Sequence, residues 1–154
     1  MLAADNCGEI YGCAATGTIR GQRGTEYFGG LVGGNGGVLQ NCYTQGTVSG
    51  GMAIGGLVGA NGGMIVHCYA ASRIVAEGGM FGERFAGGLV GRKGGQVAGC
   101  YFLKVPEAGD LDNGQGSPLT AAQMKQQSSF AGWDFTTIWK ISEGKDYPRL
   151  RWEK

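Results

Sequence analysis

The sequence is poor in charge, proline and histidine, and it has no long hydrophobic run. Charged residues make up 16% of the 154 residues, against about a quarter in an average protein, and the net charge is +1. With no basic run, nothing in this balance indicates nucleic acid or an anionic membrane as a partner. No apolar run approaches about 18 residues, and the N-terminus lacks the charged and apolar regions of a signal peptide. We therefore predict no membrane insertion and no targeting signal within this sequence.

Glycine is the abundant residue, with 33 copies against only three prolines. It does not recur at every third position, which excludes a collagen helix. The segment GGLVG occurs three times, and a cysteine lies 13 residues after the first glycine of each copy: Gly29 and Cys42, Gly55 and Cys68, Gly87 and Cys100. A fourth copy, truncated at its front, opens the chain. A spacing kept this strictly indicates one supersecondary unit that is used four times.

Each full unit divides into three short strands separated by turns that are rich in glycine and asparagine. We therefore predict an all-β fold, a parallel β-solenoid of about four coils in which equivalent residues stack. Asn6, Asn35 and Asn61 should form a stacked ladder, which Lys93 interrupts in the last coil. Pro106 takes a strand position in the last copy, where its missing N–H should end the regular solenoid.

The composition changes after the repeats, and we predict three segments within one structural domain. Residues 1–106 form the solenoid, 107–116 a turn-rich linker, and 117–154 a C-terminal cap. A capping box at Thr120 predicts a short helix that reaches to about Gln127. All three tryptophans lie in the last 22 residues, and we expect them to close the bottom of the solenoid.

Five cysteines without a C-x-x-C pair match neither a disulfide framework nor a zinc site. Cys13, Cys42, Cys68 and Cys100 occupy one slot of the repeat, and we interpret them as small apolar core residues. Stacked coils would still be close enough for an occasional disulfide between neighbours. The single histidine, His67, precedes Cys68, but neighbours on a strand point to opposite faces. We predict no catalytic residue.

The insertion between the third and fourth copies is the one predicted protrusion, at residues 77–85. Loops on a rigid scaffold often carry binding function, and the alternative is a flap packed on the solenoid flank. The residues that we assign to partner binding on this loop are Met80, Phe81, Glu83, Arg84 and Phe85.

Tyr43, Tyr69 and Tyr101 share one slot of the repeat and should stack as an aromatic ladder. If they are exposed, their rings could serve as stacking platforms for sugars. Asp110 and Asp112, two residues apart in the linker, are the one weak candidate for calcium ligands, because calcium takes oxygen ligands. No other cofactor is indicated.

The repeated GGLVG, the asparagine–glycine turn and the Cys-Tyr segment resemble the GLUG motif of bacterial surface and secreted proteins. The tail GWDFTTIWKISEGKDYPRLRW resembles a segment that follows such repeats. The resemblance implies an extracellular or cell-surface solenoid that belongs to a longer, adhesin-like polypeptide, with glycans or surface proteins of a host or the environment as partners. Because the first coil lacks a cap, we also expect end-to-end self-association.

Three functions are compatible with these observations. The favoured one is a structural or interaction module, which accounts for the repeats and for the lack of a recognisable site. A carbohydrate-binding module is the alternative, since the chain has three tryptophans and six tyrosines. A polysaccharide-active enzyme is the least favoured, because such enzymes use clustered carboxylates and Glu9, Glu77 and Glu83 share no slot.

Overall fold

The computed structural model describes residues 1–22, 26–76 and 85–154. Within them the chain winds through four parallel sheets, which we call A to D. Sheet A contains β1 (Ala3–Asn6), β5 (Val32–Asn35), β9 (Val58–Asn61) and β13 (Val90–Arg92). Sheet B contains β2 (Glu9–Tyr11), β6 (Val38–Gln40), β10 (Met64–Val66) and β14 (Gln96–Ala98). Sheet C contains β3 (Ala14–Arg20), β7 (Tyr43–Gly50), β11 (Tyr69–Ala76), β15 (Tyr101–Leu103) and β16 (Ser117–Leu119), and sheet D contains β4 (Tyr27–Gly29), β8 (Ala53–Gly55) and β12 (Phe85–Gly87).

The predicted all-β parallel solenoid is confirmed, with a small difference in the number of coils. Three complete coils each run through sheets D, A, B and C, and they follow a first coil that contributes only β1, β2 and β3. The predicted three strands per unit are corrected to four. The strand that the sequence concealed is the one in sheet D, because Tyr27–Gly29 and its equivalents read as connections before GGLVG.

The coils stack in register, so that each slot of the repeat forms a column through the molecule. β7 and β11 pair along eight residues, with Tyr43 opposite Tyr69 and Val48 opposite Ile74. Apolar side chains of these columns fill the interior between the sheets, as buried rows of Leu31, Leu57 and Leu89, of Val32, Val58 and Val90, and of Cys42, Cys68 and Cys100. The core is therefore a set of like-on-like contacts, repeated from coil to coil.

A paired-glycine corner allows the chain to pass from sheet D into sheet A. A Cβ atom on Gly29 would lie 2.1 Å from the carbonyl oxygen of Val32. In the next coil, a Cβ atom on Gly55 would lie 1.9 Å from the carbonyl oxygen of Val58. Only glycine can occupy a position that brings two stretches of backbone this close, which explains why GGLVG is repeated with its glycines intact.

The predicted asparagine ladder is present at the end of the strands of sheet A. Nδ2 of Asn6 donates to Oδ1 of Asn35 at 2.9 Å, and Nδ2 of Asn35 donates to Oδ1 of Asn61 at 2.8 Å. Each of these buried amides also donates to a nearby backbone carbonyl. The ladder ends at Asn61 because the next coil offers Lys93, whose ammonium turns away to the carbonyl of Asn113.

The last coil is covered by residues 106–119, most of which we predicted to be a linker. Pro106–Ala108 forms a 3-10 turn, so the regular strand stops where the proline predicted it would. Asn113 then donates from Nδ2 to the carbonyls of Val90 at 2.7 Å and Gly91 at 3.2 Å, which are edge groups of sheet A. β16 adds a fifth strand to sheet C. This segment therefore satisfies edge groups that another coil would otherwise pair.

Residues 120–154 form what we call the strap, which lies along the outer face of sheet C. It does not close the bottom of the solenoid, which corrects our expectation for the tryptophans: the strap contacts carbonyls of both the first and the last coil. The short predicted helix is also corrected. The capping box at Thr120 and Gln123 forms, but only 3-10 turns follow, because Gln126 is extended at φ −122° and ψ 125°.

We expect Leu57→Ala to destabilise the fold by about 2–5 kcal/mol, because it leaves a cavity in the interior. Leu57 has no exposed surface. Leu2 is a matched control, since it occupies the same slot of the first coil but is 56% exposed. Equilibrium urea denaturation measures both changes. A loss below about 0.5 kcal/mol for Leu57→Ala, or equal losses at the two positions, would contradict the assignment of the core face.

We expect Lys93→Asn to stabilise the protein by about 0.5–1.5 kcal/mol, because the new amide extends the ladder and accepts a hydrogen bond from Asn61. Lys93→Ala is the control, since it removes the same ammonium without supplying an amide. Thermal and urea unfolding of the two variants measure the difference. Equal stabilities for the two variants would mean that the ladder adds nothing beyond the third coil.

Candidate functional site

Tyr43 and Tyr69 stack as predicted, but they lie beneath the strap. Their ring centroids are 4.9 Å apart with the planes 3° from parallel, and the side chains are 2% and 0% exposed. Tyr101 is in register with Tyr69, yet its ring turns edge-on to Phe130, at 5.2 Å between centroids. The ladder therefore holds two rings rather than three. Burial of Tyr43 and Tyr69 also corrects the expectation that their rings could serve as exposed stacking platforms for sugars.

Burial raises the pKa of the Tyr43 phenol well above its usual value, and a hydrogen bond to Glu153 raises it further. The hydroxyl of Tyr43 donates to Oε1 of Glu153 at 2.6 Å. Burial likewise raises the pKa of Tyr69, whose hydroxyl donates to the carbonyl of Pro148 at 2.6 Å. Both phenols thus bind the strap in their neutral form, and ionising either of them would work against this contact.

Two indole groups attach the strap to opposite ends of the solenoid. Nε1 of Trp133 donates to the carbonyl of Gly99 at 2.8 Å, and Nε1 of Trp152 donates to the carbonyl of Gly12 at 3.0 Å. These glycines occupy the same slot in the last and the first coil. The third tryptophan of the strap, Trp139, is fully buried, and its ring packs against Tyr43 and Tyr69. The strap therefore spans every coil.

His67 occupies a corner of the backbone rather than a reactive site. The same slot holds Gly12, Asn41, His67 and Gly99, and all four have positive φ, between 49° and 61°. Glycine and asparagine adopt this left-handed conformation most readily, and histidine tolerates it better than most residues. The His67 ring packs against Trp133, at 6.3 Å between centroids. Residues of this column thus share a turn rather than a chemical function.

In the cysteine column, Cys42, Cys68 and Cys100 are buried and hydrogen-bonded within the solenoid, and Cys13 of the first coil is half-buried. The N–H of Cys42 donates to Sγ of Cys68 at 3.3 Å, and Sγ of Cys68 contacts the carbonyl of Val66 at 3.2 Å. Burial raises the pKa of the Cys68 thiol, which keeps it neutral and unreactive. All five cysteines are free, and the interpretation of this column as core residues agrees with its position.

Most of the predicted binding loop lies outside the described residues: this applies to Met80, Phe81, Glu83 and Arg84. Phe85 is described, and it begins β12 rather than ending a loop. Its side chain is 42% exposed, and the guanidinium of Arg92 lies over its ring at 5.9 Å.

Asp110 and Asp112 form two consecutive turns in the segment that covers the last coil. Oδ1 of Asp110 accepts from the N–H of Asp112, and Oδ1 of Asp112 accepts from the N–H of Gly114, both at 3.0 Å. In the described part of the chain, no group of three or more histidine, cysteine or acidic side chains is arranged so that it could hold a metal ion. Calcium binding at these two residues stays a prediction.

A polar groove lies where the strap meets the middle of sheet C, and we call it the seam groove. Its volume is about 260 Å³, and its lining consists of Gln45, Lys125, Lys145, Asp146, Tyr147 and Arg149. Sequence reasoning did not find this site. Gln45 belongs to the second coil and the other residues to the strap, so no local motif or repeat spacing connects them. The basic and aromatic YPRLRW segment was the available signal, and we interpreted it only as part of the C-terminal cap.

We expect the free energy of unfolding to fall as the pH rises above about 10, where tyrosine ionises in the unfolded chain. The folded-state pKa values of Tyr43 and Tyr69 are raised, so their contribution is complete below this pH and decreases above it. Tyr43→Phe should show a smaller decrease, since it carries one fewer of these groups. Urea unfolding at several alkaline pH values measures this, alongside phenolate absorbance. Ionisation of all six tyrosines near pH 10 in the folded protein would contradict it.

The comparisons with known proteins agree with this architecture. Residues 50–75, which cover most of one coil, match the family model described as the GLUG motif. A protein of Evansella cellulosilytica, named as a Gly-rich membrane protein, is 52% identical over 42 residues, which is 26% of this chain and 5% of that protein. No solved structure matches the chain. Across the described residues we find no helix with the length and apolarity needed to cross a bilayer. The chain is thus a β-solenoid repeat module whose resemblance to GLUG-motif proteins is confirmed by the family match at residues 50–75.

Proposed function

We propose that this chain is a rigid, non-catalytic interaction module of an adhesin-like bacterial protein that is secreted or held at the cell surface. The observation that carries the proposal is the strap bound along the in-register solenoid. Coils that pair with their neighbours form a body that is stiff along its axis. The strap adds hydrogen bonds to both ends of that body, from Trp133 to Gly99 and from Trp152 to Gly12.

The extracellular location rests on the relative and on the resemblance. The relative is named as a membrane protein, and the matching segment is a small part of it. A repeat module that extends from a membrane-attached protein would present its flanks to other molecules. We therefore place the function of the chain in what its outer surfaces bind.

The non-catalytic role is supported by what the reactive side chains do. His67 forms a left-handed corner, and Cys68 is a buried neutral thiol. Asp110 and Asp112 close turns. Each of these four residues therefore has a structural task in the fold.

Carbohydrate binding is the second candidate, and the exposed ring of Trp152 favours it. Trp152 is 65% exposed while its indole N–H is fixed on Gly12, so the ring is held in place. Tyr11, the residue before Gly12, is 57% exposed. An ordered aromatic ring is a suitable platform for the apolar face of a sugar, because little side-chain entropy is lost on binding.

Affinity electrophoresis through gels that contain plant, microbial or host polysaccharides tests the proposal, together with an assay for released reducing ends. We expect at least one polymer to retard the chain without being cleaved. Trp152→Phe keeps a ring but loses the anchoring N–H, and Trp152→Ala loses both. Release of reducing ends would overturn the non-catalytic assignment. If neither polysaccharides nor intact cell surfaces bind the chain, the interaction role itself is wrong.

A further inference from the structure

We propose that the seam groove binds carboxylated polysaccharides, with Lys125, Lys145 and Arg149 contacting the carboxylates of uronic acid residues. This inference names a site and a ligand class beyond the scaffold role, and it does not depend on the exposed ring of Trp152. Three cations and one carboxylate, that of Asp146, line the groove, which gives its lining a charge of +2 in a chain whose net charge is +1.

Within the strap, which the structure describes throughout, the cations of the groove form no ion pair with the acids, most of whose carboxylates accept other hydrogen bonds. Glu143 accepts the backbone N–H of Gln127 at 3.0 Å. Glu153 accepts the hydroxyl of Tyr43 and the backbone N–H of Leu150. Within the described residues, the charged groups of Lys125, Lys145 and Arg149 form no hydrogen bond or ion pair, and the ammonium of Lys125 lies over the ring of Tyr147 at 6.0 Å. These charges are therefore available to an anion from outside.

The groove is built on a rigid frame, although its cations are near the surface. Nε2 of Gln45, on its floor, donates to the hydroxyl of Tyr69 at 3.1 Å, and this hydroxyl donates to the carbonyl of Pro148, which lies between the lining residues Tyr147 and Arg149. The N–H of Gly144 donates to the carbonyl of Lys125 at 2.9 Å. This bond ties the segment that carries Lys145 to the segment that carries Lys125. A buried tyrosine thus fixes the floor to the strap segment around Pro148, as a pre-organised site requires.

The surroundings favour an extended sugar polymer over a small anion. Thr47 is two residues beyond Gln45 on the same strand, so these two side chains share the outer face of sheet C. Arg73 lies opposite Thr47 in the adjacent strand and therefore points to that face as well. Arg73 is exposed and continues the basic surface past the groove. Gln45 and Tyr147 add an amide and a phenol that can contact sugar hydroxyls. A groove below the usual volume of a small-molecule pocket suits one residue of a longer chain.

Isothermal titration at low ionic strength with a short oligogalacturonate tests the proposal, because its fully methyl-esterified form has the same sugars without charge. We expect the acid form to bind and the ester to bind at least about tenfold more weakly. The triple variant Lys125→Gln, Lys145→Gln, Arg149→Gln should lose about tenfold in affinity. A control with the same net charge, Arg92→Gln, Lys93→Gln, Lys104→Gln, should remain within about twofold of the parent chain.

Asp146→Asn provides a variant that is expected to gain affinity, by about twofold, because it removes the one negative charge of the groove. Circular dichroism of each variant confirms its fold, and single lysine variants replace the triple variant if it unfolds. Equal loss in the two triple variants, or equal binding of acid and ester, would overturn the proposal. Polyphosphate that binds as tightly, with the same dependence on the three residues, would overturn it in favour of a general polyanion site. Failure of all uronate polymers to bind, while neutral ones retard the chain, would overturn it and leave the interaction role intact.

Discussion

The in-register stacking of coils is the constraint on which the rest of the structure depends. Every column of side chains exists because equivalent residues of successive coils pair in register. This register requires the chain to pass from sheet D to sheet A through a corner that has no room for a Cβ atom. Gly29 and Gly55 supply that corner. Once the corners are fixed, leucine meets leucine, cysteine meets cysteine and asparagine meets asparagine. The buried amides of Asn6 and Asn35 thus each find a hydrogen-bond partner in the next coil.

The strap uses what this stacking leaves unpaired. The left-handed corner slot presents carbonyl groups on the flank, and indole N–H groups bind those of Gly12 and Gly99. The phenols of Tyr43 and Tyr69 end in hydroxyls that need partners once they are buried, and Glu153 and Pro148 provide them. The strap therefore stabilises the solenoid from its side, and the seam groove forms along the line where the two surfaces meet. In this arrangement the surface that we propose for ligand binding is a consequence of how the fold is completed.

The repeat made much of the fold predictable from sequence. Aligning the copies of the repeat assigns each residue to one column of the stack. That alignment predicts the stacked asparagines, the interruption at Lys93 and the end of the regular coil at Pro106, and the structure contains each of them. The sheet D strand was missed because its short segments precede GGLVG without a pattern of their own. The third tyrosine departs from the ladder because Phe130 offers its ring an edge-on contact.

The strap and the seam groove were beyond the reach of sequence reasoning for a physical reason. Their contacts join residues such as Tyr43 and Glu153, which lie 110 positions apart and share neither a period nor a motif. Tryptophans near the end of a repeat chain indicate that something is covered, but not which surface. The strap covers the outer face of sheet C because the aromatic rings of that face pack against the aromatic side chains of the strap.

Native-state hydrogen exchange of the backbone amides tests most directly whether the stacked coils and the strap form one cooperative body. We expect the slowest exchange in the paired centres of β7 and β11, slightly faster exchange at the strap amides of Trp139 and Leu150, and the fastest exchange in β1. Strap amides that exchange as freely as β1, while β7 and β11 stay protected, would show that the strap detaches on its own. That result would contradict the claim that the strap completes the fold.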